Sequence, residues 1–437
     1  MFKKIFPLSA IISLRFLGLF LVLPVISIYA ASMTDNLLLV GIIVGGYALT
    51  QAIFQVPFGV MSDKIGRKPT LLVGLIIFLI GSLIAAFATD IYTLMLGRFL
   101  QGAGAIGSVI TAMISDLVEE EVRGKAMAIM GGTIALSFAI AMGLGPVIGA
   151  SYGVDTLFLI TAGLSIFAMI LLFTKVPTPP RIKHIYHKKA KTSDILKDSN
   201  LLNMIVINAM QKGLMTVAFV LIPIILTSDD FAWEKSDLYM AYLPAMVLGL
   251  IAMGPAAVFG EKHNKPKQIF LVSIVLFIGS FLIMGLTASS TLFIIAVSMF
   301  FIAFNMMEPL VQSMITKFAK VHQKGAALGI SNSVAYFATF IGGTLAGLML
   351  DISDRATIGI SVAVLATIWL LWTLKLQNPT KHSHLFISQD LIDTAKLSEL
   401  EHEHIAEWYI NETENLIVIK YVKDLISEED LKSKVIC

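Results

Sequence analysis

Residues 59–69 read GVMSDKIGRKP, a short charged stretch between two long apolar runs. Gly66 suits a tight reversal of the chain, because glycine adopts backbone angles that other residues avoid. Asp63 and Arg67 flank this reversal, and Asp116 follows a later apolar run. We predict that Arg67 pairs with Asp116 and that Asp63 faces the positive N-terminus of a neighbouring helix. A plain charged loop between two membrane segments is the alternative interpretation.

The composition around this stretch is typical of a membrane protein. Hydrophobic residues make up 57% and charged residues 14% of the chain, and its mean hydropathy is +0.83. A soluble surface needs roughly 25% charged residues, so most of this chain must face lipid. The net charge of +2 does not favour nucleic-acid binding. The single cysteine, Cys437, excludes an intrachain disulfide, a cysteine-rich zinc site and an Fe–S cluster.

Twelve runs are long and apolar enough to cross a bilayer as helices, which takes about 20 residues each. These runs, numbered spans 1 to 12, cover residues 6–31, 39–61, 69–88, 91–115, 125–151, 155–174, 201–227, 237–259, 267–287, 290–316, 326–350 and 356–375. The first is too long for a signal peptide and lacks a cleavage site. None alternates like a barrel strand. The predicted fold class is an all-α membrane protein with twelve transmembrane helices.

Positive residues predict the orientation of the spans. Of the 32 Lys and Arg, 27 lie on the side of the two termini or at the span ends facing it. The opposite loops hold only Lys235 and Arg355. Positive residues are retained in the cytoplasm, so both termini are predicted to be cytoplasmic.

The spans form two sets of six. We predict a first six-helix half over 1–174, a cytoplasmic basic linker over 175–200 and a second half over 201–376. A weak echo relates the halves, because Asp63 aligns with Glu261 after the eighth span. Parallel repeats of six spans are the plan of a transporter whose halves rock about a central site.

Residues 377–437 predict a small cytosolic α+β module. Residues 388–403 have the pattern of an amphipathic helix, and 404–414 and 415–423 alternate like strands. Ser427 opens a final helix over 427–435. The resulting hairpin exposes an edge, which we expect either a strand near 381–387 or an unknown partner or ligand of the module to cover.

Two more stretches carry recognisable patterns. Residues 98–104 read RFLQGAG on span 4, and residues 143–150 read GLGPVIGA on span 5. GAGAIG at 102–107 also fits the nucleotide-binding pattern G-x-G-x-x-G. That pattern requires a preceding strand, so within an apolar helix we predict close helix packing instead.

Residues 59–69 and these two stretches resemble three motifs of the major facilitator superfamily, in the expected order and on the expected spans. The third motif is the signature of the antiporter branch, which is proton-coupled and drug-efflux-like. Ala150 stands where that motif often has glycine. The resemblance covers about residues 1–376 and implies a multi-pass protein of the bacterial inner membrane. A similar member also carries a small ferredoxin-like C-terminal domain, of which the present tail has room for only a truncated unit.

The resemblance implies roles for the motif residues. Those of the first motif would form a charge cluster that locks the halves on the cytoplasmic side: Gly59, Asp63, Gly66, Arg67 and Asp116. Those of the third would set close packing and a bend on span 5: Gly143, Gly145, Pro146 and Gly149. Helix packing alone is the alternative role of the third motif.

Four ionisable residues lie inside predicted spans, where such groups are costly and are functional by default. They are Arg15, Arg98, Lys212 and Glu308, on spans 1, 4, 7 and 10, which line the central cavity in this superfamily. A carboxylate whose cationic neighbours move can bind and release a proton, so we predict that Glu308 carries it and that the three cations tune it. Alternatively, Arg98 bonds backbone carbonyls, Lys212 extends to an interface, and Glu308 is a fixed partner of Arg15 or Lys212.

Uncharged polar residues on the same or adjoining spans are weaker candidates for contact with a substrate. They are Tyr47, Gln51, Gln55, Gln101, Asn208, Gln211 and Asn305. A role in helix packing is the alternative for each.

The predicted function is secondary transport of a small molecule by alternating access, with protons and the lipid bilayer as its other partners. We favour proton-coupled export of lipophilic or amphiphilic compounds. One alternative is transport of an anionic metabolite, which three buried cations would attract. Another is a transport-dead sensor that signals through the C-terminal module. We predict no enzyme, metal or cofactor, since the chain lacks a P-loop and H-E-x-x-H.

Overall fold

The computed structural model describes residues 2–118, 122–177, 192–320, 323–379, 382–388, 405–411, 415–422 and 425–435. Within these residues, twelve helices are long and apolar enough to cross a membrane, which confirms the predicted fold class. They are α1 Phe2–Ala31, α2 Leu37–Ile65, α3 Arg67–Ala86, α4 in two parts (Ile91–Ala103 and Gly107–Leu117), α5 Arg123–Tyr152, α6 Val154–Thr174, α7 Ser199–Thr227, α8 Leu238–Glu261, α9 Pro266–Leu286, α10 Ser290–Phe318, α11 Lys324–Ile352 and α12 Arg355–Thr373.

Side-chain caps begin several of these helices. Asn36 accepts a hydrogen bond from the N–H of Leu39 at the start of α2, and Asp90 accepts bonds from the first turn of α4. Asp354 does the same for α12. These caps satisfy N–H groups that have no partner within the helix.

The motif at 59–69 is almost entirely helical, so its interpretation as a loop was wrong. Helix α2 continues to Ile65 and α3 begins at Arg67, which leaves Gly66 alone between them. Gly66 has φ +101°, a conformation that favours glycine, as the sequence predicted. The sharp reversal therefore places Asp63 and Arg67 on adjoining helix ends.

The fourth span was predicted as one helix but is interrupted at residues 104–106. Small residues do allow close packing there. A Cβ added at Gly102 would lie 1.8 Å from the carbonyl oxygen of Tyr47, and one at Gly104 would lie 2.4 Å from that of Gly74. The helix breaks where its backbone approaches α2 and α3 most closely.

The two ends of the helix bundle are named by what lies there. The module face carries Gly66, Glu261 and the C-terminal module, and the far face carries loops 32–36, 87–90 and 287–289.

Contacts between the halves extend from the middle of the bundle to the far face. A Cβ added at Gly41 of α2 would lie 2.1 Å from the carbonyl oxygen of Gly343 of α11, and Gly45 packs against the backbone of the same helix.

An aromatic cluster also joins the halves. Phe138 of α5 packs edge-on against Phe20 of α1, with ring centroids 4.8 Å apart. It also contacts Phe219 of α7 and Phe301 and Phe304 of α10. This cluster fills the space between the halves near the middle of the bundle.

Helices separate toward the module face. Added Cβ atoms would meet nothing within 4 Å at Gly131 and Gly132 of α5, Gly254 of α8, or Gly325 and Gly329 of α11. All five glycines lie on the module-face portions of their helices. Among the described residues, the close contacts between the halves therefore lie in the middle of the bundle and at the far face, and these glycines have free space beside them toward the module face.

The C-terminal module contains a three-stranded antiparallel sheet and a helix. Strands β1 His382–Ser388, β2 Ile405–Asn411 and β3 Leu416–Val422 pair in the order β1-β3-β2. The expected early strand is thus confirmed, because β1 pairs with β3. Ser427 caps the last helix, α13 Glu428–Val435, by accepting from the N–H of Asp430 at 3.1 Å.

One face of this sheet packs on α13 around Ile417, Ile419 and Leu431. The predicted amphipathic helix over 388–403 lies outside the described residues, apart from Ser388. Most of the predicted linker, 178–191, also lies outside them. A short helix, Thr192–Lys197, immediately precedes α7.

Candidate functional site

An acid–base pair links α7 and α10 inside the bundle. Lys212 Nζ donates to both carboxylate oxygens of Glu308, at 2.9 and 2.8 Å. Gln211 Nε2 donates to the same carboxylate at 3.0 Å. The Lys212 ammonium also lies 4.8 Å from the centre of the Phe304 ring, so the pair sits beside the aromatic cluster.

This pair faces the open space between the halves. The side chains of Lys212 and Glu308 are 25% and 39% exposed. A proton or a small molecule entering from the module face can therefore reach them. Of the two partners predicted for Glu308, the structure selects Lys212 and not Arg15.

Arg15 of α1 is buried and its hydrogen bonds are incomplete. Its Nη2 donates to Gln51 Oε1 at 3.2 Å, and its guanidinium lies about equally near the rings of Phe16 and Phe78. Its Nε and Nη1 have no hydrogen-bond partner among the described residues. A buried cation bound only by neutral groups keeps a positive field at this point of the first half.

Arg98 of α4 is also buried among neutral groups. Its Nε donates to the carbonyl oxygen of Ile43 at 3.3 Å, so the predicted bond to a backbone carbonyl is present. Its Nη1 donates to Gln101 Oε1 at 2.8 Å, and its guanidinium stacks over the Tyr47 ring at 4.8 Å. Gln101 donates in turn to Ser82. Arg98 therefore ties α4 to α2 and α3.

The other polar candidates divide between the site and the helix packing. Gln211 contacts Glu308, and Gln51 contacts Arg15. Asn208 instead bonds Ser331, which joins α7 to α11. Asn305 donates to the carbonyl oxygen of Phe301 within its own helix. For Gln55 the structure gives only a packing contact, in which its backbone oxygen accepts from Ser108.

The first-motif residues form a cluster at the module face of the first half. Arg67 donates through Nη1 to Asp63 at 2.7 Å and to the hydroxyl of Ser62, and through Nε to Asp116 at 2.9 Å. Arg67 and Asp116 therefore pair as predicted. Asp63 is 66% exposed, and all of these residues belong to α2, α3 and α4. Among the described residues, this cluster does not join the halves. Gly59 lies one turn before Asp63 and packs loosely.

The second half has a different cluster at the same face. Glu261 at the end of α8 contacts Lys317 and Ser313 of α10. The weak repeat between the halves therefore keeps an ion pair at this face. However, α10 contributes the base of its pair, whereas α4 contributes an acid. Lys420 of β3 donates to the carbonyl oxygen of Lys317 at 3.5 Å, which places the C-terminal module against this cluster. Burial lowers the pKa of Lys420, and the nearby charge of Lys324 lowers it further.

The third-motif residues pack α5 on its neighbours. A Cβ added at Gly145 would lie 2.3 Å from the carbonyl oxygen of Leu21, and one at Gly149 would lie 3.3 Å from Val25. Gly143 faces Leu243 of α8, across the two halves. Pro146 lies inside the helix. These contacts support the packing role, and they include one contact between the halves.

Sequence reasoning missed two residues near this site. Phe138 lies at the centre of the aromatic cluster, but a phenylalanine in an apolar run carries no signal of its own. Tyr336 of α11 is partly buried and lies within electrostatic reach of both Arg15 and Glu308. Only the packing of α11 against the first half brings it there.

Comparisons with known proteins agree with this architecture. Residues 8–265 and 208–419 match the Major Facilitator Superfamily. The chain is 34% identical over 426 residues to the inner membrane transport protein YajR of Escherichia coli, covering 94% of this chain and 92% of that protein. It is 27% identical to the quinolone resistance protein NorA of Staphylococcus aureus, covering 83% and 94%.

Solved structures share the fold. A D-xylose–proton symporter matches with a TM-score of 0.71 at 13% identity, covering 86% of this chain and 99% of that one. The human organic anion transporter MFSD10 matches with a TM-score of 0.63 at 16% identity, covering 85% and 99%.

Proposed function

The chain belongs to the Major Facilitator Superfamily and is a secondary transporter, and we propose that it couples the entry of protons to the export of lipophilic or amphiphilic compounds. The Lys212–Glu308 pair carries this proposal. It joins two helices, is partly exposed to the open space between the halves, and contains the carboxylate that can take up a proton. The likeness to a quinolone resistance protein supports export.

Proton binding at Glu308 changes the charge of the site. With Glu308 ionised, the pair is neutral and Gln211 stabilises the carboxylate. A proton on Glu308 removes the counter-charge of Lys212, which weakens the contact between α7 and α10. Binding of a proton and binding of a cationic or amphiphilic compound would then favour different contacts between α7 and α10, so that the two alternate, as an antiporter requires.

The gate follows from the motif at the module face. We place this face in the cytoplasm, because the positive residues gather there. Asp63, Arg67 and Asp116 hold the ends of three first-half helices as one unit. When the halves approach each other at the module face, the exposed carboxylate of Asp63 would come within reach of the second half. Making and breaking a contact between Asp63 and the second half would couple the gate to the central site.

Reconstituted liposomes test this function. Purified protein is placed in liposomes that contain a pH-sensitive dye, a proton gradient is imposed, and lipophilic cations and organic anions are added in turn. We expect added lipophilic cations to drive protons across the membrane, which the dye detects as a change in internal pH. Glu308→Gln should abolish that proton movement. Glu234→Gln, at an exposed carboxylate in the loop after α7, is the matched control and retains it.

A second candidate is transport of an anionic metabolite. Arg15 and Arg98 are buried, and no carboxylate within the described parts of the chain pairs with either. A substrate carboxylate would supply the missing counter-charge. The same panel separates the candidates, since proton movement with organic anions alone would favour this one. Silence of the whole panel with folded protein would count against both and favour a sensor that signals through the module.

A further inference from the structure

A carboxylate from the second half caps a helix of the first half at the far face. Asp351 lies in the last turn of α11, and its two oxygens accept from the N–H groups of Leu37 and Leu38 at 3.0 Å each. These N–H groups begin α2. The contact therefore crosses between the two halves at the closed end of the bundle.

The contact satisfies groups that the first half leaves open. Asn36 caps α2 from within its own half, but its side chain accepts only from Leu39. The first N–H groups of a helix have no partner within it and carry the positive end of its dipole. Asp351 supplies both hydrogen bonds and the opposite charge.

A strip of glycines brings the two helices close enough for this contact. A Cβ added at Gly347 would lie 2.2 Å from the carbonyl oxygen of Leu37, and one at Gly343 would lie 2.6 Å from that of Gly41. The backbones of α2 and α11 thus touch over the turns adjoining Asp351. Any separation of the halves at the far face must break the Asp351 contact.

The opposite end of α2 shows the complementary state. Asp63, near its last residue, is 66% exposed and bonds Arg67 of its own half. Within the described parts of the chain, the second half thus holds α2 at the far face, whereas Asp63 at the other end of α2 contacts its own half.

We propose that Asp351 is the far-face latch of the transport cycle: it holds the far face closed by capping α2, and its release accompanies opening to that face. The proposal rests on the alternating access of the proposed function and not on proton coupling or on the substrate. Asp351 acts through the position of α2 and does not touch the transported compound.

Distance measurements between the halves test the latch. Spin labels are attached to Thr89→Cys and Ala288→Cys, two exposed far-face positions in different halves, in a Cys437→Ser background. Double electron–electron resonance then gives the populations of the closed and open far face in liposomes. We expect Asp351→Asn to raise the ratio of open to closed by about two- to fivefold, the range of carboxylate contacts with helix N-termini.

Asp354→Asn is the matched control. Asp354 also caps a helix at the far face, but it bonds Thr357 of its own half, and hydrogen bonds from Thr357 lower its pKa. It therefore carries the same charge three residues away without a contact between the halves. We expect its distance distribution to equal that of the parent protein.

Two results would overturn the latch. One is an unchanged distribution in Asp351→Asn, and the other is an equal shift in Asp354→Asn. Asp351→Ser removes the same charge with a smaller side chain, and it replaces Asp351→Asn if that variant expresses poorly. Because the distance measurement reports conformation and not transport, it tests the latch even where the compound panel shows no proton movement.

Discussion

The two halves of the transporter differ in how the charges inside the bundle are bound. In the first half, Arg15 and Arg98 are bound by neutral groups: amide oxygens, a backbone carbonyl and aromatic rings. In the second half, Lys212 is bound by the carboxylate of Glu308. The first half therefore carries positive charge that no proton on a neighbour can change, whereas the second half holds a pair whose charge changes with one proton.

Under the proposed function, this difference gives the two halves different roles. Protonation of the acid–base pair can change the contact between α7 and α10. The arginines of the first half fix a positive field and the packing of α1 and α4. The predictions below alter one half at a time.

Breaking the second-half pair is expected to have the largest effect. Lys212→Gln leaves Glu308 without its counter-charge, and we expect proton-driven export to fall by at least about tenfold. The double variant Glu308→Gln, Lys212→Gln removes both charges, so its thermal stability in detergent should exceed that of Lys212→Gln. Export assays and thermal unfolding measure the two effects. A double variant less stable than the single one would show that the charges are not coupled.

The charge clusters at the module face provide the next comparison. Asp63→Asn removes a contact of Arg67 and the exposed charge that we assign to the gate, and we expect export to fall by about tenfold, within the usual range of coupling between sites. Membrane insertion, measured by fluorescence-detected gel filtration, should not change. Lys64→Gln, at a neighbouring exposed charge, is the control. Normal export by Asp63→Asn would remove its gating role.

The role of Arg98 in the first half is expected to depend on the shape of its side chain as well as on its charge. Arg98→Lys keeps the charge but loses the forked donor geometry that bonds Gln101 and Ile43 together. We expect export to fall by about fivefold, which corresponds to the net contribution of one ordinary hydrogen bond. Its dependence on pH should stay that of the parent protein, because the substitution keeps a positive side chain at this position. A shifted pH profile would place Arg98 in the proton pathway.

Removal of the C-terminal module is expected to have the smallest effect. Among the described residues, Lys420 joins the module to the second-half cluster through the backbone of Lys317. Deleting residues 380–437 leaves the Lys212–Glu308 pair in place, so export should stay within about twofold, the effect of a surface contact. Membrane expression and export are measured together. A collapse of expression would show that the module supports the fold.

The sequence predicted most of the membrane fold, because apolar length is a direct consequence of bilayer thickness. It also predicted the Arg67–Asp116 pair and the reversal at Gly66, since one needs opposite charges and the other needs a backbone that only glycine supplies readily. Its errors concern where helices end. Charged residues at 59–69 resemble a loop, yet the helices extend through them.

The partners of the charges inside the bundle and at its far face were less predictable. Glu308 had two possible cations, and only the packing of α7 against α10 selects Lys212. Asp351 carries no signal in the sequence, because its role depends on a helix that starts more than three hundred residues earlier. Contacts between the halves depend on the conformation and not on local pattern.

The most direct test of the account compares exchange with proton-driven export. The compound that moves protons in the liposome panel is radiolabelled, and its exchange against unlabelled compound is measured alongside its export in a proton gradient. Glu308→Gln should retain exchange, which needs no net proton movement, and should lose export driven by the gradient. Equal loss of both would make Glu308 a structural residue, and retention of both would place the proton site elsewhere.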